Sequence, residues 1–230
     1  RKNKQTVFQK MNIKLVKTND GSNTLIETSF NESYHSINGA INESKHIFIN
    51  NGLKRINKNS FQILEIGFGS GLNALLTKIY SEKNRFKIIY HAIDNLPLPK
   101  NVYSSLNYSS QLKINNDQFL KIHDSSWEEE VKLSQFFTIK KINFNFNKIC
   151  FKEKYDLVYF DAFSPSKQAD MWNEANFRKL FNCINNKGIL ITYCAKGIVK
   201  RTLKKVGFET IPLPGPEGKR EITLASKNCF

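Results

Sequence analysis

The sequence has 230 residues, 40% of them apolar, and its 35 Lys and Arg against 20 Asp and Glu give a formal net charge of +15 at pH 7. A chain of this size and composition buries a core without disulfides or metals, and its four cysteines, with no C-x-x-C spacing, predict neither a zinc site nor a disulfide framework. It shows no uncharged run that could span a bilayer and no signal-peptide core near its start, so we expect a cytoplasmic protein without metal or membrane contact.

The N-terminal part predicts a β-hairpin followed by a helix. Two β-like runs, Lys10–Lys17 and Asn23–Thr28, lie on either side of an Asn-Asp-Gly-Ser turn. Helical spacing then runs from about Asn38 to Asn51. We expect residues 1–55 to form a small extension that packs on the main domain.

A glycine-rich turn follows the first strand of that domain. Residues 63–73 read ILEIGFGSGLN, an apolar strand that leads into Gly67, Gly69 and Gly71 and then into a helix. Glycines let a ligand approach the main chain closely, and the start of the helix offers unpaired N–H groups. The spacing is G-x-G-x-G with Glu65 upstream, not the G-x-G-x-x-G of dinucleotide sites. It favours S-adenosylmethionine over NAD or FAD, with a bare structural turn as the alternative.

Two further strands are predicted to end in a carboxylate. The run Lys87–Ile93 ends at Asp94, and Tyr155–Phe160 ends at Asp161. Because the carboxyl ends of parallel strands meet at one edge of a sheet, we expect both acids to converge on the glycine turn. Asp94 fits the acid that accepts hydrogen bonds from a ribose diol. The alternative for each is an Asp that only caps the turn after its strand.

The C-terminal part continues the alternation of helix and strand, which predicts an α/β sheet. A final strand pair on either side of the loop Pro214–Gly218 is typical of a methyltransferase sheet rather than a dehydrogenase sheet. The predicted elements are helices at Phe177–Asn185 and Gly197–Val206 and strands at Gly188–Tyr193, Thr210–Leu213 and Glu221–Ala225.

The positive charge is partly compositional, since Lys outnumbers Arg 29 to 6, as drift towards AT-rich codons would produce. The clustered cations are more informative, because cations on one face bind nucleic-acid phosphates with little sequence preference. A solvated basic helix face is the alternative. The clustered residues are Lys196, Lys200, Arg201, Lys204, Lys205, Lys219 and Arg220.

Five segments together resemble the methyltransferase part of the bacterial enzymes that complete 5-methylaminomethyl-2-thiouridine at the tRNA wobble position, the MnmC/MnmD family. They are YHSINGAINESKHIFI from Tyr34, LEIGFGSGLN, DAFSPSKQADMW, YCAKGIVKRTLKKVGF and GPEGKRE. The resemblance implies a class I fold over residues 56–230, with a Rossmann-like seven-stranded sheet and an antiparallel C-terminal hairpin. It also implies transfer of one methyl group from S-adenosylmethionine to an aminomethyl group on uridine.

The resemblance assigns roles by position. Asp161 would contact the target amine, Asp94 the ribose, and Tyr34 would close over the cofactor. Asn145 takes the place of the acid that usually faces the adenine; an amide can still pair with the adenine edge. The remaining implied cofactor residues are Glu65, Gly67, Phe68, Gly69, Gly71 and Asn73. The implied substrate and tRNA residues are Phe163, Pro165, Lys167, Met171, Trp172, Lys200, Arg201, Lys219 and Arg220.

Some points stay open at this level. Met171 and Trp172 could pack a lid or form a platform on which uracil stacks. Bifunctional relatives carry a flavin-dependent oxidase domain, for which we expect no room in this chain, so the tRNA would arrive with its aminomethyl group already made. Alternatives are a small-molecule amine methyltransferase and a tRNA-binding module with a decayed cofactor pocket; the glycine spacing disfavours a dehydrogenase.

Overall fold

The structure is a computed structural model that describes residues 6–8, 12–29 and 31–228. A four-stranded antiparallel sheet comes first, formed by β1 (Thr6–Phe8), β2 (Ile13–Lys17), β3 (Asn23–Glu27) and β4 (Glu32–Ser33). The pairing of β2 with β3 confirms the predicted hairpin, although residues 10 and 11 of its first run lie outside the described residues. Asp20 closes the connecting turn by accepting from the N–H of Ser22 at 3.0 Å.

The predicted N-terminal helix has two parts. Helix α1 (Ala40–Ser44) continues directly as a π-helical segment, Lys45–Asn50. The wider winding shows in the N–H of Asn51, which donates to the carbonyl of His46, five residues back, at 3.2 Å. Phe48 of this segment is buried, with its ring centroid 5.0 Å from that of Tyr159. The extension therefore shares a core with the main sheet, and the boundary expected at residue 55 stays a prediction.

The main sheet has eight strands. Seven of them form its core, as the resemblance implies: five parallel strands and the two strands of an antiparallel C-terminal hairpin. One short additional strand pairs antiparallel at an edge. The strands are β5 (Ser60–Ile66), β6 (Lys87–Asp94), β7 (Glu130–Lys132), β8 (Phe137–Asn143), β9 (Tyr155–Phe160), β10 (Ile184–Thr192), β11 (Glu209–Pro214) and β12 (Glu221–Ser226). Their order is β11-β12-β10-β9-β5-β6-β8-β7, which confirms the expected α/β class and adds β7 as an eighth strand.

Helices cover both faces of this sheet. Side chains alternate along β5, so Ile63 joins the core on the face of α1 and α2, whereas Leu64 joins the core on the opposite face. Among the described residues no helix combines the length and apolarity needed to cross a bilayer. The further helices are α2 (Leu72–Asn84), α3 (Lys100–Tyr103), α4 (Tyr108–Leu112), α5 (Asn116–Asp124), α6 (Glu174–Cys183) and α7 (Gly197–Lys205).

Candidate active site

A cavity of about 460 Å³ lies at the carboxyl ends of β5, β6 and β9, where β4, the segment after it and Glu43 of α1 complete the lining. Its volume is within the range of about 300 to 1,000 Å³ that is usual for small-molecule sites. The structure brings ten of the predicted site residues into its lining. They are Tyr34, Gly67, Phe68, Gly69, Asp94, Asn145, Asp161, Phe163, Met171 and Lys219.

The glycine turn has the backbone that the sequence predicts. Gly67 and Gly69 both have positive φ, 91° and 49°. A Cβ on Gly67 would lie 2.6 Å from the carbonyl oxygen of Asp161, and one on Gly69 would lie 3.1 Å from the ring of Tyr34. Both positions therefore favour glycine, more strictly at Gly67, where the contact is with main chain, and bare backbone faces the cavity. Gly71 precedes α2 against the ring of His123 and does not line the cavity.

Asp94 binds the glycine turn and also borders the cavity. One carboxylate oxygen accepts from the N–H of Gly69 at 2.8 Å, and the other accepts from the N–H of Leu96 at 2.9 Å. Burial raises the pKa of Asp94, and these backbone hydrogen bonds oppose the rise. Asp94 thus caps the turn after its strand and also lines the cavity, and its contact with a ribose stays a prediction.

The carboxylate of Asp161 is fixed by a hydrogen bond from Asn73 of α2. The side-chain amide of Asn73 donates to the Asp161 carboxylate at 2.8 Å and to the Glu65 carboxyl at 3.0 Å. Burial and repulsion from Glu43 raise the pKa of Asp161 to about 7, against the hydrogen bond from Asn73 and the charge of Lys219. Glu65 and Asn73, expected to contact the cofactor, lie outside the cavity lining, where they are 0% and 2% exposed.

The N-terminal sheet supplies one wall of the cavity. Tyr34 follows β4 and meets Phe163 edge to face, with ring centroids 5.0 Å apart. Glu32 of β4 accepts from both the N–H and the hydroxyl of Ser164, each at 2.9 Å. These contacts hold the loop after Asp161. The sequence gives no signal for Glu32, because its partner is 132 residues away.

Met171 and Trp172 are adjacent in the segment after Asp161 but have different environments. Met171 lines the cavity, whereas Trp172 is 5% exposed, donates to the carbonyl of Phe163 at 2.8 Å and packs on Phe160. A buried indole has no free face, so the uracil-platform alternative is wrong for Trp172, and packing explains this residue. Pro165 and Lys167 lie outside the cavity lining, in the turn that follows Ser164.

Asn145 stands where the resemblance expects an acid that faces the adenine, and the structure places the carboxylate of Asp170 at this end of the cavity. Asn145 is exposed and caps the short helical turn Phe146–Lys148 by accepting from the N–H of Asn147 at 2.8 Å. The side chain of Asn147 in turn donates to Asp170 at 2.6 Å, and all three residues line the cavity. The sequence did not predict Asp170 as a site residue, because it lies in a separate helical turn, Ala169–Trp172, that meets Asn147 only in the folded protein.

The predicted cations are in different environments. Lys219 reaches into the cavity, where its ammonium group is 2.6 Å from the carboxylate of Glu43 and 4.3 Å from the ring centroid of Tyr193. Lys200 pairs with Glu221 at 2.9 Å. Arg201 and Arg220 are exposed, and these two, like Lys200, lie outside the cavity lining. Neither Glu43 nor Tyr193 was among the predicted site residues.

The geometry fits a nucleoside-bearing methyl donor. One cavity of small-molecule size is lined by the bare backbone of the glycine turn and by two carboxylates. These are Asp94, at the end of β6, and Asp161, which follows β9. Throughout residues 6–8, 12–29 and 31–228, no group of three or more His, Cys, Asp or Glu side chains could hold a metal ion.

Similar proteins agree with this geometry. A protein of Leptospira interrogans named "tRNA 5-methylaminomethyl-2-thiouridine biosynthesis bifunctional protein MnmC" is 32% identical over 222 residues, which cover 88% of this chain and 34% of the relative. Its namesake in Cupriavidus metallidurans is 30% identical over 90% of this chain and 33% of its own length. The similarity to MnmC proteins expected from the motifs is thus confirmed, and the chain spans about a third of the length of these relatives.

Solved structures show the same fold. MNMC2 from Aquifex aeolicus matches with a TM-score of 0.79 at 24% identity, over 100% of this chain and 72% of that one. Spermidine synthase from Thermotoga maritima matches with a TM-score of 0.62 at 14% identity, over the same shares. A family model described as S-adenosyl-L-methionine-dependent methyltransferase matches residues 107–228. More than half of the chain therefore carries this signature, and the chain belongs to the S-adenosyl-L-methionine-dependent methyltransferase family.

Proposed function

We propose that this methyltransferase transfers one methyl group to the amine of an aminomethyl group on the wobble uridine of tRNA. The observation that carries the proposal is Asp161, a carboxylate at the cavity edge beside the glycine turn. Two further observations support it: the names of the MnmC relatives, and a net charge of +15 that suits a nucleic-acid substrate.

The glycine side of the cavity would hold the cofactor. The bare backbone at Gly67 and Gly69 admits close approach, Asp94 can accept hydrogen bonds from ribose hydroxyls, and Tyr34 covers the turn. The amides of Asn145 and Asn147 and the carboxylate of Asp170 could pair with the adenine edge. When bound, S-adenosylmethionine supplies a methyl group already activated by a sulfonium.

Asp161 would prepare the amine. A primary alkylamine is mostly protonated at neutral pH, and only its neutral form has the lone pair that the reaction requires. The Asp161 carboxylate attracts the ammonium, accepts one of its protons and fixes the direction of the nitrogen lone pair. Because burial raises the pKa of Asp161 to about 7, the group can both accept and release that proton near neutral pH.

The rest of the tRNA would lie on the charged surface outside the cavity. Arg201 and Arg220 are exposed, so they are free to meet backbone phosphates. Such contacts strengthen binding without reading sequence, so the chemistry of the nucleoside in the cavity would decide which tRNA reacts. The enzyme would act in the cytoplasm, where tRNA is modified.

The test is methyl transfer to defined tRNA. The protein is incubated with S-adenosylmethionine and tRNA that carries the aminomethyl group, and the digested nucleosides are analysed by mass spectrometry. We expect methylaminomethyl-uridine to form, and Asp161→Asn to slow it by about 100-fold or more. tRNA without the aminomethyl group and free alkylamines are the comparison substrates. Equal methylation of free amines, or full activity of a folded Asp161→Asn variant, would contradict the proposal.

A further inference from the structure

A chain of buried polar groups runs from the centre of the sheet to the cavity. The amide nitrogen of Asn73, in the first turn of α2, carries two hydrogens and donates one to Glu65 at 3.0 Å and the other to Asp161 at 2.8 Å. Glu65 is 0% exposed, whereas Asp161 borders the cavity. One amide thus links a carboxyl with no access to solvent to a carboxyl that can meet a substrate.

Within the described chain no cation compensates a negative charge on Glu65, and the hydrogen bond from Asn73 lowers its pKa less than burial raises it. In the described part of the chain no Lys or Arg forms an ion pair with Glu65. Its neighbours are Tyr90 of β6 and Tyr159 of β9, with Asp94 and Asp161 as nearby acids. The hydroxyl of Tyr90 lowers the pKa of Glu65 and so opposes the effect of burial, although this hydroxyl and the second Glu65 oxygen do not meet with full hydrogen-bond geometry.

The surroundings of Asp161 are different. Lys219 from the loop between β11 and β12 offsets part of its charge, while Glu43 of α1 opposes ionisation and Tyr193 after β10 stays neutral. In a low-dielectric interior, two neighbouring acids that carry one negative charge between them have a lower free energy than two acids that are both ionised. Burial, and then the charge of Asp161, raise the pKa of Glu65 well above its usual range. The remaining proton is therefore expected on Glu65, the acid that has no access to solvent.

We propose that Glu65 stays protonated and acts through Asn73 as a positioning residue, so that the negative charge of this chain of groups sits on Asp161. Its role in the chemistry rests on the proposed function. There an N–H bond of the ammonium breaks, an O–H bond forms on Asp161, and the electron pair stays on nitrogen. That pair would form the N–C bond to the methyl group while the bond from this methyl group to the donor sulfur breaks, so that S-adenosylhomocysteine leaves with the sulfur electron pair. Glu65 keeps its proton throughout, and Asp161 later releases its own to solvent.

The location of the proton is tested without measuring activity. In the unfolded chain Glu65 ionises near its ordinary pKa of about 4.3. If it stays protonated in the folded protein, the unfolding constant of the wild type, divided by that of Glu65→Gln, rises about tenfold per pH unit between pH 5 and 8. The exposed Glu129, changed to Gln, is the matched control and should give a flat ratio. A flat ratio for Glu65→Gln would overturn the proposal.

A second measurement needs no variant. With glutamate labelled by carbon-13 at its side-chain carboxyl, the NMR spectrum of the wild type should contain one carboxyl resonance at the protonated position at pH 8. This resonance should be missing from the spectrum of Glu65→Gln. If all glutamate carboxyls of the folded wild type titrate below pH 5, the proposal is wrong, whether or not the variant folds.

The positioning role is tested by the pH profile of methyl transfer to the aminomethyl tRNA. Asn73→Leu removes the bond that lowers the pKa of Asp161, so the acidic limb of kcat/KM should move to higher pH. Glu65→Leu should reduce kcat/KM about tenfold or more, and Glu65→Gln, which keeps a neutral acceptor for Asn73, should restore the wild-type limb. A folded Glu65→Gln variant with a shifted limb would overturn this role. If the wild type methylates no tRNA, the proposed function fails, while the unfolding and NMR results still locate the proton.

Discussion

Glu32 and Ser164 are joined by two hydrogen bonds, both 2.9 Å long, that connect the N-terminal sheet to the loop after Asp161. We expect Glu32→Ala to loosen this loop and to lower kcat/KM about tenfold, since charge-assisted bonds contribute about 1.5 to 3 kcal/mol. Steady-state kinetics with aminomethyl tRNA would measure the effect. Glu27→Ala is the matched control, because Glu27 accepts the same two bonds from Ser29 in an exposed turn. Equal kinetics of the two variants would contradict a role for the connection.

Asp161 should make stability depend on pH. Its pKa is raised to about 7 from an ordinary value of 3.8, so the stability it contributes is fully present below pH 3.8 and is lost as the pH rises through 7. Asp161→Asn should therefore gain stability over the wild type between pH 4 and 7, by at most about 4 kcal/mol, and the gain should level off above pH 7. Denaturant unfolding at several pH values measures this. A pH-independent difference would show that Asp161 titrates normally.

Lys141, which does not line the cavity, is a second group whose titration should change the stability of the fold. It is 0% exposed, its ammonium group donates to the carbonyl of His123 and lies 4.9 Å from the ring centroid of Trp127, and burial lowers its pKa to about 8. A lowered pKa means that the charged form destabilises the fold below pH 8. Lys141→Met should thus be more stable than the wild type by about 1 to 3 kcal/mol at pH 7, and the difference should shrink towards pH 10.5.

Lys140→Met is the control for this change, because Lys140 is the preceding residue on β8 and is only partly buried. Thermal unfolding from pH 7 to 10 would compare the two variants. A destabilised Lys141→Met protein at pH 7 would mean that the contacts with His123 and Trp127 outweigh the cost of burying the charge.

The two cavity-facing glycines should respond differently to Ala. At Gly67 the new Cβ would meet the main chain of Asp161, which cannot move aside, so we expect a decrease of about 2 to 4 kcal/mol in the free energy of unfolding. At Gly69 it would meet the ring of Tyr34, which can rotate. Gly69→Ala should fold and bind S-adenosylmethionine about tenfold more weakly in calorimetry. Unchanged affinity would place the cofactor away from this turn.

The exposed arginines should govern the salt dependence of tRNA binding. Removing a cation that neutralises one phosphate lowers the slope of log affinity against log salt by about 1. Arg201→Glu and Arg220→Glu should therefore weaken tRNA binding and flatten this slope, with the affinity for S-adenosylmethionine unchanged. Lys58, which pairs with Asp156 at the opposite end of the strands, is the control for charge reversal. Equal salt slopes for all three variants would contradict this surface.

The sequence predicted the parts of the fold and site whose signals are local. A strand that runs into Gly67, or ends at Asp94 or Asp161, is visible within ten residues, and parallel strands bring such ends together. Residues that reach the cavity from distant elements carry no such signal. Glu32, Glu43 and Asp170 became apparent only from their partners, Ser164, Lys219 and Asn147.

Three further features of the structure could not be predicted from local sequence signals. A strand of three residues, β7, has too few alternations to stand out, and the winding of the π-helical segment depends on tertiary packing rather than on propensity. Trp172 was ambiguous because an aromatic residue in a loop can pack inward or stack outward, and only its packing on Phe160 decides between the two.

The ion pair of Glu43 with Lys219 joins positions 176 residues apart. A growing polypeptide releases Glu43 from the ribosome long before Lys219, so the cavity wall is completed only near the end of translation of this region. Until then the Glu43 carboxylate lacks this cation, and the part of the cavity wall that Lys219 supplies is missing. The complete cavity therefore forms only after the loop between β11 and β12 has been synthesised.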